Sequence, residues 1–319
     1  MIRLISPREL RRQGILGMNQ RNLGFIGRYN RRRNYQLVDN KIKTKTAAIA
    51  NHIPVPELYG VIEYQFEVSR IERLLADRTS FVIKPVQGSG GKGILVIAQR
   101  RGDAFITTCG TSLGSSDLRR HVSNTLAGLY SLGGRNDHVM IEALIEFDPY
   151  FAQYSYEGVP DIRVIICKGV PVMAMIRCAT HGSNGKANLH QGAVGVGLDM
   201  ATGRSICAVQ HSRIIDAHPD TGIRFDELRV PHWERILDLA SRCAEMTGLG
   251  YLGADIVFDY HQGPMLLELN ARPGLSIQLA NQCGLRHRLR EADRIALEAP
   301  DRSERVRLAQ QRFAVPDRA

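Results

Sequence analysis

The spacing of apolar and polar residues predicts short strands and helices, with no internal repeat and no low-complexity tract. Runs rich in Val, Ile and Leu predict strands at residues 80–85, 93–98, 139–145, 161–167, 170–177, 253–260 and 265–270. Apolar residues at helical spacing predict helices at 39–51, 68–76, 113–132 and 233–247, with an Arg-rich, helix-compatible tail after 285. The Gly- and Asn-rich residues 178–212 are interpreted as long functional loops.

One strand-like run near the C-terminal end carries Glu268 and Asn270, whose side chains leave the same face because a strand repeats every two residues. The preceding run, 253–260, contributes Asp255. A two-residue turn at 262–263 would place Asp255 opposite Asn270 and diagonal to Glu268, whereas a one-residue shift would move Asp255 to the other face. Three oxygen ligands on one face suit Mg²⁺. The alternative is an ordinary hairpin with polar residues facing water.

A glycine-rich segment, residues 87–93, separates two predicted strands. It matches the dinucleotide-binding glycine pattern, but that pattern requires a helix after the glycines, and here a strand follows. It is not a Walker loop either, because Gly93 follows Lys92 where Ser or Thr is required. We interpret it as a flap whose N–H groups close over phosphates, with a mobile hairpin turn as the alternative.

Lys84 ends the apolar strand before that flap. Burying an unpaired ammonium is costly, so this lysine needs a partner. A nucleotide phosphate would serve, and a surface-facing lysine on an edge strand is the alternative.

Another predicted hairpin, around residues 168–169, carries Asp161, Arg163 and Arg177. An odd-length loop would place both arginines on one face, and an even loop would separate them. Together they could neutralise a phosphoryl group and hold a carboxylate; the alternative is a structural ion pair between Asp161 and Arg177. Asn188 and His190 follow in the Gly-rich region, but a lone histidine is more often structural than catalytic.

Composition narrows the class of protein. The chain has 319 residues, 44% apolar and 23% charged, which is ordinary for a soluble globular protein. No apolar run is long enough for a membrane helix, and the N-terminus lacks the apolar core of a signal peptide. The six cysteines are scattered without a Cys-x-x-Cys pair, which favours reduced thiols and a cytoplasmic location over disulfides or zinc.

Positive charge is concentrated at the N-terminal end. Residues 1–50 hold twelve Lys or Arg and two Asp or Glu, which equals the +10 net charge of the whole chain. Such a segment attracts an acidic partner: an acidic peptide, nucleic acid, an anionic membrane, or an acidic face of the same protein. A solvated surface without a partner is the alternative.

The order of these features along the chain resembles the ATP-grasp superfamily, most closely the ribosomal-protein glutamate ligases and the alpha-L-glutamate-ligase-like proteins. The motifs that carry the resemblance lie between residues 37 and 280. They are Asp39-Asn-Lys41, Phe81-Val-Ile-Lys84-Pro with its glycine flap, Met140-Ile-Glu142-Ala-Leu-Ile145, Asp161-Ile-Arg163, Ala187-Asn188-Leu-His, Asp255, and Glu268-Leu-Asn270-Ala-Arg-Pro-Gly.

The resemblance implies an α+β fold with two lobes of antiparallel sheet that grip ATP between them. The nucleotide would be bound by Lys41 and Lys84 at its phosphates, by the flap Gly88, Ser89, Gly90, Gly91, Lys92 and Gly93, by the hinge Glu142, Ala143 and Leu144, and by Glu146 or else Asp148 at the ribose. Asp255, Glu268 and Asn270 would bind two Mg²⁺, with Mn²⁺ as a substitute. Arg163 would stabilise the transferred phosphoryl group, with Arg177, Asn188 and Arg272 close to it.

Two departures from the family pattern stand out. Only forty residues precede Lys41, which leads us to expect that the usual N-terminal lobe is reduced or replaced. Ala143 follows Glu142, where the ribosomal ligases usually have an aromatic residue. The expected domains are a basic N-terminal arm with a helical segment, a lid lobe, a catalytic lobe and an Arg-rich tail, at residues 1–79, 80–146, 147–285 and 286–319.

These features predict an ADP-forming, ATP-dependent carboxylate–amine ligase that makes an amide through an acyl phosphate. Its substrates would be an amino acid such as glutamate, or an acidic peptide or protein, and ligases of this kind often self-associate. A nucleic-acid-binding protein is one alternative, disfavoured by 6% aromatic content and the absence of a nucleic-acid-binding module. A non-catalytic ATP-binding subunit is the other.

Overall fold

The computed structural model describes residues 5–88 and 91–316. The chain forms two compact units: Met1–Val38, Ala47–Pro54 and Phe147–Ala319 make the larger, and Asp39–Thr46 and Val55–Glu146 the smaller. The domain limits expected from the sequence stay a prediction. Within the described residues, every helix is too short or too polar to cross a membrane.

The strands are numbered along the chain. They are β1 (Leu58–Ile62), β2 (Phe81–Pro85), β3 (Leu95–Arg101), β4 (Ala104–Thr107), β5 (Ser112–Leu113), β6 (Val139–Glu142), β7 (Asp161–Cys167), β8 (Val170–Cys178), β9 (Val194–Leu198), β10 (Ser205–Gln210), β11 (Arg213–Ile215), β12 (Tyr251–Asp259) and β13 (Gly263–Asn270).

The helices are α1 (Pro7–Arg12), α2 (Met18–Gln20), α3 (Gly27–Tyr29), α4 (Gln36–Asp39), α5 (Lys41–Ala50), α6 (Arg70–Leu74), α7 (Ser115–Leu126), α8 (Pro149–Ala152), α9 (Trp233–Thr247), α10 (Ile277–Ala280), α11 (Leu285–Glu298) and α12 (Arg302–Arg312). A π-helical segment, Arg21–Ile26, joins α2 to α3. Each strand and helix predicted above is present, with its ends shifted by a few residues.

The smaller unit is an antiparallel sheet with the order β1-β6-β2-β3-β4-β5. Its core fills one face of the sheet, where Phe81 and Ile83 of β2 pack with apolar residues of α6 and α7. Because side chains alternate along a strand, Lys84 lies on the opposite face of β2. That face is therefore where a polar site can form.

The larger unit is an antiparallel sheet with the order β11-β10-β9-β8-β7-β12-β13. Strand β12 is buried over all nine residues, so this strand is covered on both faces. Helix α9 packs on the sheet through Ile236, Leu237, Ala240 and Cys243.

Strands β9 and β10 correct the interpretation of residues 178–212 as loops. The sequence of β9, Val-Gly-Val-Gly-Leu, is a fully buried strand. A Cβ atom at Gly197 would lie 2.2 Å from the carbonyl oxygen of Ala280, so only glycine allows the close approach of α10. The glycines that indicated a loop are thus packing residues in the interior of a sheet.

Candidate functional site

The hairpin of β12 and β13 has a different register from the predicted one. Its strands are joined by a three-residue loop, 260–262, instead of a two-residue turn, and the register then shifts at Leu267. As a result Asp255 pairs with Glu268, and the predicted pairing of Asp255 with Asn270 is wrong.

This register shift decides which face of the sheet the acidic residues occupy. With the three-residue loop and no further change, Asp255 would lie opposite Leu267, and Glu268 would point to the other face. The extra residue at Leu267 is a β-bulge, which restores the alignment. Asp255, Glu268 and Asn270 therefore share one face, as predicted, and the Asn270 Nδ2 atom donates to Asp255 Oδ2 over 3.1 Å.

The hairpin of β7 and β8 also contains a bulge that shifts its register. Its loop has two residues, 168–169, and an even loop should place Arg163 and Arg177 on opposite faces. The register shifts by one residue at Val172, so that Asp161 pairs with Arg177 and both arginines share a face. The predicted rule about loop length fails here because a bulge adds the missing residue.

Two arginines and two aspartates meet on this face. Arg163 and Asp255 are paired residues of β7 and β12, and Arg163 donates from Nε and Nη2 to the two carboxylate oxygens over 2.7 and 2.6 Å. Arg177 donates in the same way to Asp161 over 2.5 and 2.6 Å, and its Nη2 also reaches Asp255 over 2.8 Å. The ion pair considered as an alternative role for Arg177 is thus present, but it belongs to a larger network.

Burial and charge act in opposite directions on these carboxyl groups. Burial tends to raise the pKa of Asp255, but the charges of Arg163 and Arg177 outweigh it and hold the pKa below the usual aspartate range. Burial raises the pKa of Asp161 to about 6, against the opposing effect of Arg177. Asp255 and Asp161, whose pKa values are shifted in opposite directions, therefore share the charges of Arg163 and Arg177.

The same face offers the oxygen donors that Mg²⁺ requires. Among the described residues, Asp255 Oδ1 accepts one hydrogen bond, from Arg163, and so keeps a lone pair for a cation. Because Asn270 uses its Nδ2 to donate to Asp255, its Oδ1 atom is turned away and can act as a ligand. Glu268 lies beside Asp255 in the paired strand. Two carboxylates and a carboxamide fit the preference of Mg²⁺ for a few protein oxygens.

In the smaller unit, Glu142 lies between two buried lysines. Lys45 donates to Glu142 Oε2 over 2.5 Å and to the carbonyl oxygen of Pro56 over 2.6 Å. Lys84 forms an ion pair with Glu142 Oε1. Lys84 is only 7% exposed, so the alternative of a surface-facing lysine is wrong, and its partner within the chain is Glu142.

The charges of this cluster do not balance, because two ammonium groups share one carboxylate. Burial lowers the pKa of Lys45 more than Glu142 raises it. For Glu142, burial raises the pKa, but Lys84 and Lys45 together lower it. An anion such as a phosphate would neutralise the remaining positive charge.

Sequence reasoning did not identify Lys45. The available signal was its position four residues after Lys41, since residues i and i+4 lie on the same face of a helix. Lys41 itself donates to the carbonyl oxygens of Val86 and Gly88 over 3.3 and 2.8 Å. The predicted phosphate-binding lysine therefore contacts the backbone at the beginning of the flap.

Of the predicted flap, Gly88, Gly91, Lys92 and Gly93 are described, and Ser89 and Gly90 lie outside the described residues. Gly93 has a φ of +75°, and a Cβ atom there would lie 2.5 Å from the ring of Tyr130. This position thus requires glycine both for its backbone conformation and for space.

The predicted adenine hinge follows β6. The N–H group of Ala143 donates to the carbonyl oxygen of Glu57 over 2.9 Å. A main-chain contact between Ala143 and adenine would therefore have to use the carbonyl group of Ala143. Glu146, the predicted ribose-binding residue, is exposed and ends the smaller unit.

Two predicted catalytic residues, Asn188 and Arg272, have described contacts outside the arginine–aspartate network. Asn188 Oδ1 accepts from the backbone N–H of His190 over 3.0 Å and so caps a short turn. The guanidinium of Arg272 lies 5.2 Å from the ring centroid of Tyr35. Among the described contacts, neither residue is bonded to the network of Arg163, Arg177 and Asp255, so their catalytic roles stay predictions.

Comparison with known proteins identifies the fold. A family model described as sugar-transfer associated ATP-grasp matches residues 20–294. No curated protein matches the sequence. The predicted resemblance to the ATP-grasp superfamily and the predicted α+β fold class are both confirmed.

Several solved ATP-grasp ligases are similar in structure. The ligase PsnB complexed with minimal precursor is 16% identical, covers 85% of this chain and has a TM-score of 0.45. A RimK domain ATP-grasp protein from Sphaerobacter thermophilus is 14% identical, with 82% of this chain and 70% of that chain covered and a TM-score of 0.46. D-alanyl-alanine synthetase A from Vibrio cholerae is 12% identical, with 88% and 66% covered and a TM-score of 0.47. The chain spans 64% of the PsnB ligase.

Proposed function

We propose a function for this chain from the fact that it belongs to the sugar-transfer associated ATP-grasp family. The proposal is an ATP-dependent carboxylate–amine ligase that releases ADP. A carboxylate oxygen of one substrate would attack the γ-phosphorus of ATP, and the bond to the ADP oxygen would break. The nitrogen of an amine would then attack the acyl phosphate, lose a proton and displace inorganic phosphate, which leaves an amide.

No protein nucleophile is needed for either step, so catalysis would depend on positioning and on positive charge around the phosphoryl group. We assign Arg163 to the second of these tasks, which is to supply positive charge. Its two bonds to Asp255 use two of the five N–H groups of a guanidinium, and the others can donate to phosphoryl oxygens. Asp255 thereby fixes the orientation of Arg163, which reduces the reorganisation that the reaction requires.

Asp255, Glu268 and Asn270 would hold Mg²⁺, which would supply charge neutralisation for the phosphate oxygens. In the smaller unit, Lys84 would bind phosphate with the donors that Glu142 does not use, and Lys45 would keep Glu142 in place. The observation that carries the proposal is the shared face of the larger sheet. There Arg163 pairs with Asp255, the bulge at Leu267 aligns Glu268 with Asp255, and the bulge at Val172 brings Arg177 to the same face.

The finer parts of the proposal concern the substrates and the location. Glutamate or an acidic peptide is proposed as a substrate on the resemblance to the glutamate ligases, and the positive charge of residues 1–50 supports it by charge alone. We also propose a cytoplasmic location and a division at residue 146 between a lid lobe and a catalytic lobe.

The test is to incubate the purified chain with ATP, Mg²⁺ and pooled amino acids, and to search for new amides by mass spectrometry while ADP is measured. Amide and ADP in equal amounts would support the ligase. ATP binding without ADP release under every combination would instead indicate a non-catalytic nucleotide-binding subunit. The Glu268→Ala variant is the control, since it removes a proposed metal ligand.

A further inference from the structure

The N-terminal segment, residues 5–33, which we call the basic arm, has a strongly positive outer surface. It contains Arg8, Arg11, Arg12, Arg21, Arg28, Arg31, Arg32 and Arg33, against Glu9 as its one acidic residue. Arg12 pairs with Glu9, and Arg21 donates to the carbonyl oxygen of Pro273. Arg31, Arg32 and Arg33 are exposed, and no carboxylate among the described residues lies within ion-pair distance of them.

The inner side of the basic arm is fixed to the larger unit. Leu16, Phe25 and Ile26 are buried. The side chain of Asn30 accepts from the backbone N–H of Tyr251 over 2.8 Å and donates to its carbonyl oxygen over 2.7 Å. The outer side chains are therefore displayed on a docked segment and do not belong to a loose tail.

Apolar side chains are displayed among these arginines. Leu23 is 80% exposed and Met18 69%, and Ile5 and Leu10 are exposed as well. Exposing large apolar side chains has no benefit for a surface that only meets water, or for one that only attracts soluble anions. A single exposed leucine would need no explanation, but a group of them within a cationic segment indicates a partner with an apolar layer.

The backbone of the basic arm orients both kinds of side chain outward. The N–H of Gly27 bonds to the carbonyl of Asn22, the i+5 spacing of a π-helical turn. Leu23 and Arg28 are exposed, whereas Phe25 and Ile26 between them are buried. This part of the segment thus buries one side and displays both a cation and the most exposed apolar side chain of the segment.

Helix α11 extends the positive surface beyond the basic arm. The Nε2 atom of His287 lies 3.2 Å from the carbonyl oxygen of Arg12, which joins the helix to the arm. His287 and Arg290 line a cavity of about 430 Å³ together with Arg294. Glu291 also lines this cavity and pairs with Arg294 and Arg312, whereas Arg290 has no carboxylate within ion-pair distance among the described residues. This cavity could receive the phosphate group of a lipid near the surface on which the apolar side chains are exposed.

We infer that the outer surface of the basic arm, with the adjoining end of α11, docks on a membrane that contains anionic phospholipids. Arginines would bind the phosphate layer, and Leu23 and Met18 would enter the boundary of headgroups and acyl chains, as in other interfacial helices. No residue of the basic arm is among the proposed ligase-site residues, so its binding to a membrane should not depend on ATP.

Charge alone does not distinguish a membrane from an acidic peptide or a nucleic acid, but the apolar side chains do. Phosphates of a nucleic acid would leave Leu23 and Met18 in water. An acidic peptide would need a groove or a sheet edge for its backbone, and residues 18–29 of the basic arm are helical, so their backbone offers no sheet edge. A bilayer is a plane that offers an anionic and an apolar layer at once.

The test uses the full chain with vesicles of phosphatidylcholine alone, or of phosphatidylcholine with phosphatidylglycerol, in a flotation assay. The wild-type chain should float with the anionic vesicles only. Replacing Arg31, Arg32 and Arg33 with glutamine should weaken binding roughly a hundredfold, because each arginine near such a surface contributes about a fivefold factor. Leu23→Ser should weaken it about tenfold.

Matched variants on other surfaces serve as controls. Replacing the exposed residues Arg204, Arg213 and Arg235 with glutamine removes the same number of positive charges as the arm variant does. Leu129→Ser removes a leucine that is 66% exposed. Both variants should float like the wild type. Equal loss of binding in the arm and control variants would overturn the inference, and so would anionic-vesicle binding that Leu23→Ser leaves unchanged. Preferential binding to polyglutamate or to a DNA duplex, without flotation, would assign the arm to a soluble acidic partner.

Discussion

Asp255 and Arg163 lie directly opposite each other in the paired strands β12 and β7, and two hydrogen bonds of 2.7 and 2.6 Å join their side chains. Asp255 is only 2% exposed. It therefore holds the partly buried guanidinium of Arg163 in place and, in the proposed mechanism, also binds a metal. Because of this double role, we expect a substitution of Asp255 to reduce both stability and activity, and a substitution of its neighbour Glu268 to reduce activity alone.

The first prediction compares Asp255 with Glu268. Asp255→Asn removes the charge that Arg163 and Arg177 share, and a buried ion pair that loses one partner costs about 3–5 kcal/mol. We expect a decrease of that order in the free energy of unfolding, measured by urea denaturation, together with loss of ATP turnover.

Glu268→Ala should separate these two effects. The Glu268 side chain is half-buried and makes no hydrogen bond or ion pair among the described contacts. Because the Glu268→Ala substitution breaks no described side-chain bond, we expect the free energy of unfolding to stay within about 0.5 kcal/mol of the wild type, while ATP turnover is abolished. Amide formation at the wild-type rate in this variant would show that Glu268 is not a metal ligand.

The second prediction concerns the lysines around Glu142. Lys84→Ala should weaken ATP binding about 10- to 100-fold, because it removes a charge-assisted hydrogen bond to phosphate worth about 1.5–3 kcal/mol. The measurement is isothermal titration calorimetry. Lys43→Ala, at an exposed position of α5, is the matched control and should bind ATP normally. Unchanged nucleotide affinity in Lys84→Ala would rule out its phosphate role.

The third prediction is about pH. The pKa of Asp255 and that of Glu142 are lowered in the folded chain, so both stabilise the fold above the usual carboxyl pKa. That stabilisation should be lost as the pH falls through their folded values. The pKa of Asp161 is raised to about 6, so its contribution has the opposite sign and decreases as the pH rises from about 4 to 6.

Unfolding free energies of the wild type and of Glu142→Gln, measured from pH 7 downwards, check this prediction. The variant should lose less stability on acidification than the wild type, because the group whose pKa is lowered is gone. Parallel curves for the two proteins would contradict the assignment.

The fourth prediction concerns the flap. Gly93→Ala should destabilise the fold by about 1–3 kcal/mol, because its φ of +75° is unfavourable for alanine and the new methyl group would meet Tyr130. Gly102→Ala is the matched control, since Gly102 has a φ of +60° with nothing within 4 Å of a Cβ atom. The control should lose about 1 kcal/mol of stability, which is the cost of the unfavourable backbone conformation alone. An equal loss of stability in the two variants would show that the Tyr130 ring moves to accommodate the new methyl group.

The sequence predicted the chemical groups of the site more reliably than their pairing. Asp255, Glu268 and Asn270 were selected because alternate positions of an apolar strand bore oxygen atoms, and they share a face. The predicted register of the two strands that carry them was wrong. Lys45 was missed because its position four residues after Lys41 indicates a shared helix face but not burial, and only the folded structure brings it to Glu142 and to the carbonyl oxygen of Pro56.

The sequence by itself determined which residue types alternate along each strand, and hence the α+β class and the oxygen and guanidinium groups available. Only the tertiary structure decided the faces. A strand's side chains change sides with every residue, so the bulges at Leu267 and Val172 determine whether Asp255 meets Glu268 and whether Arg177 meets Asp161. A bulge forms where packing across several strands favours it, and a single strand's sequence does not contain that information.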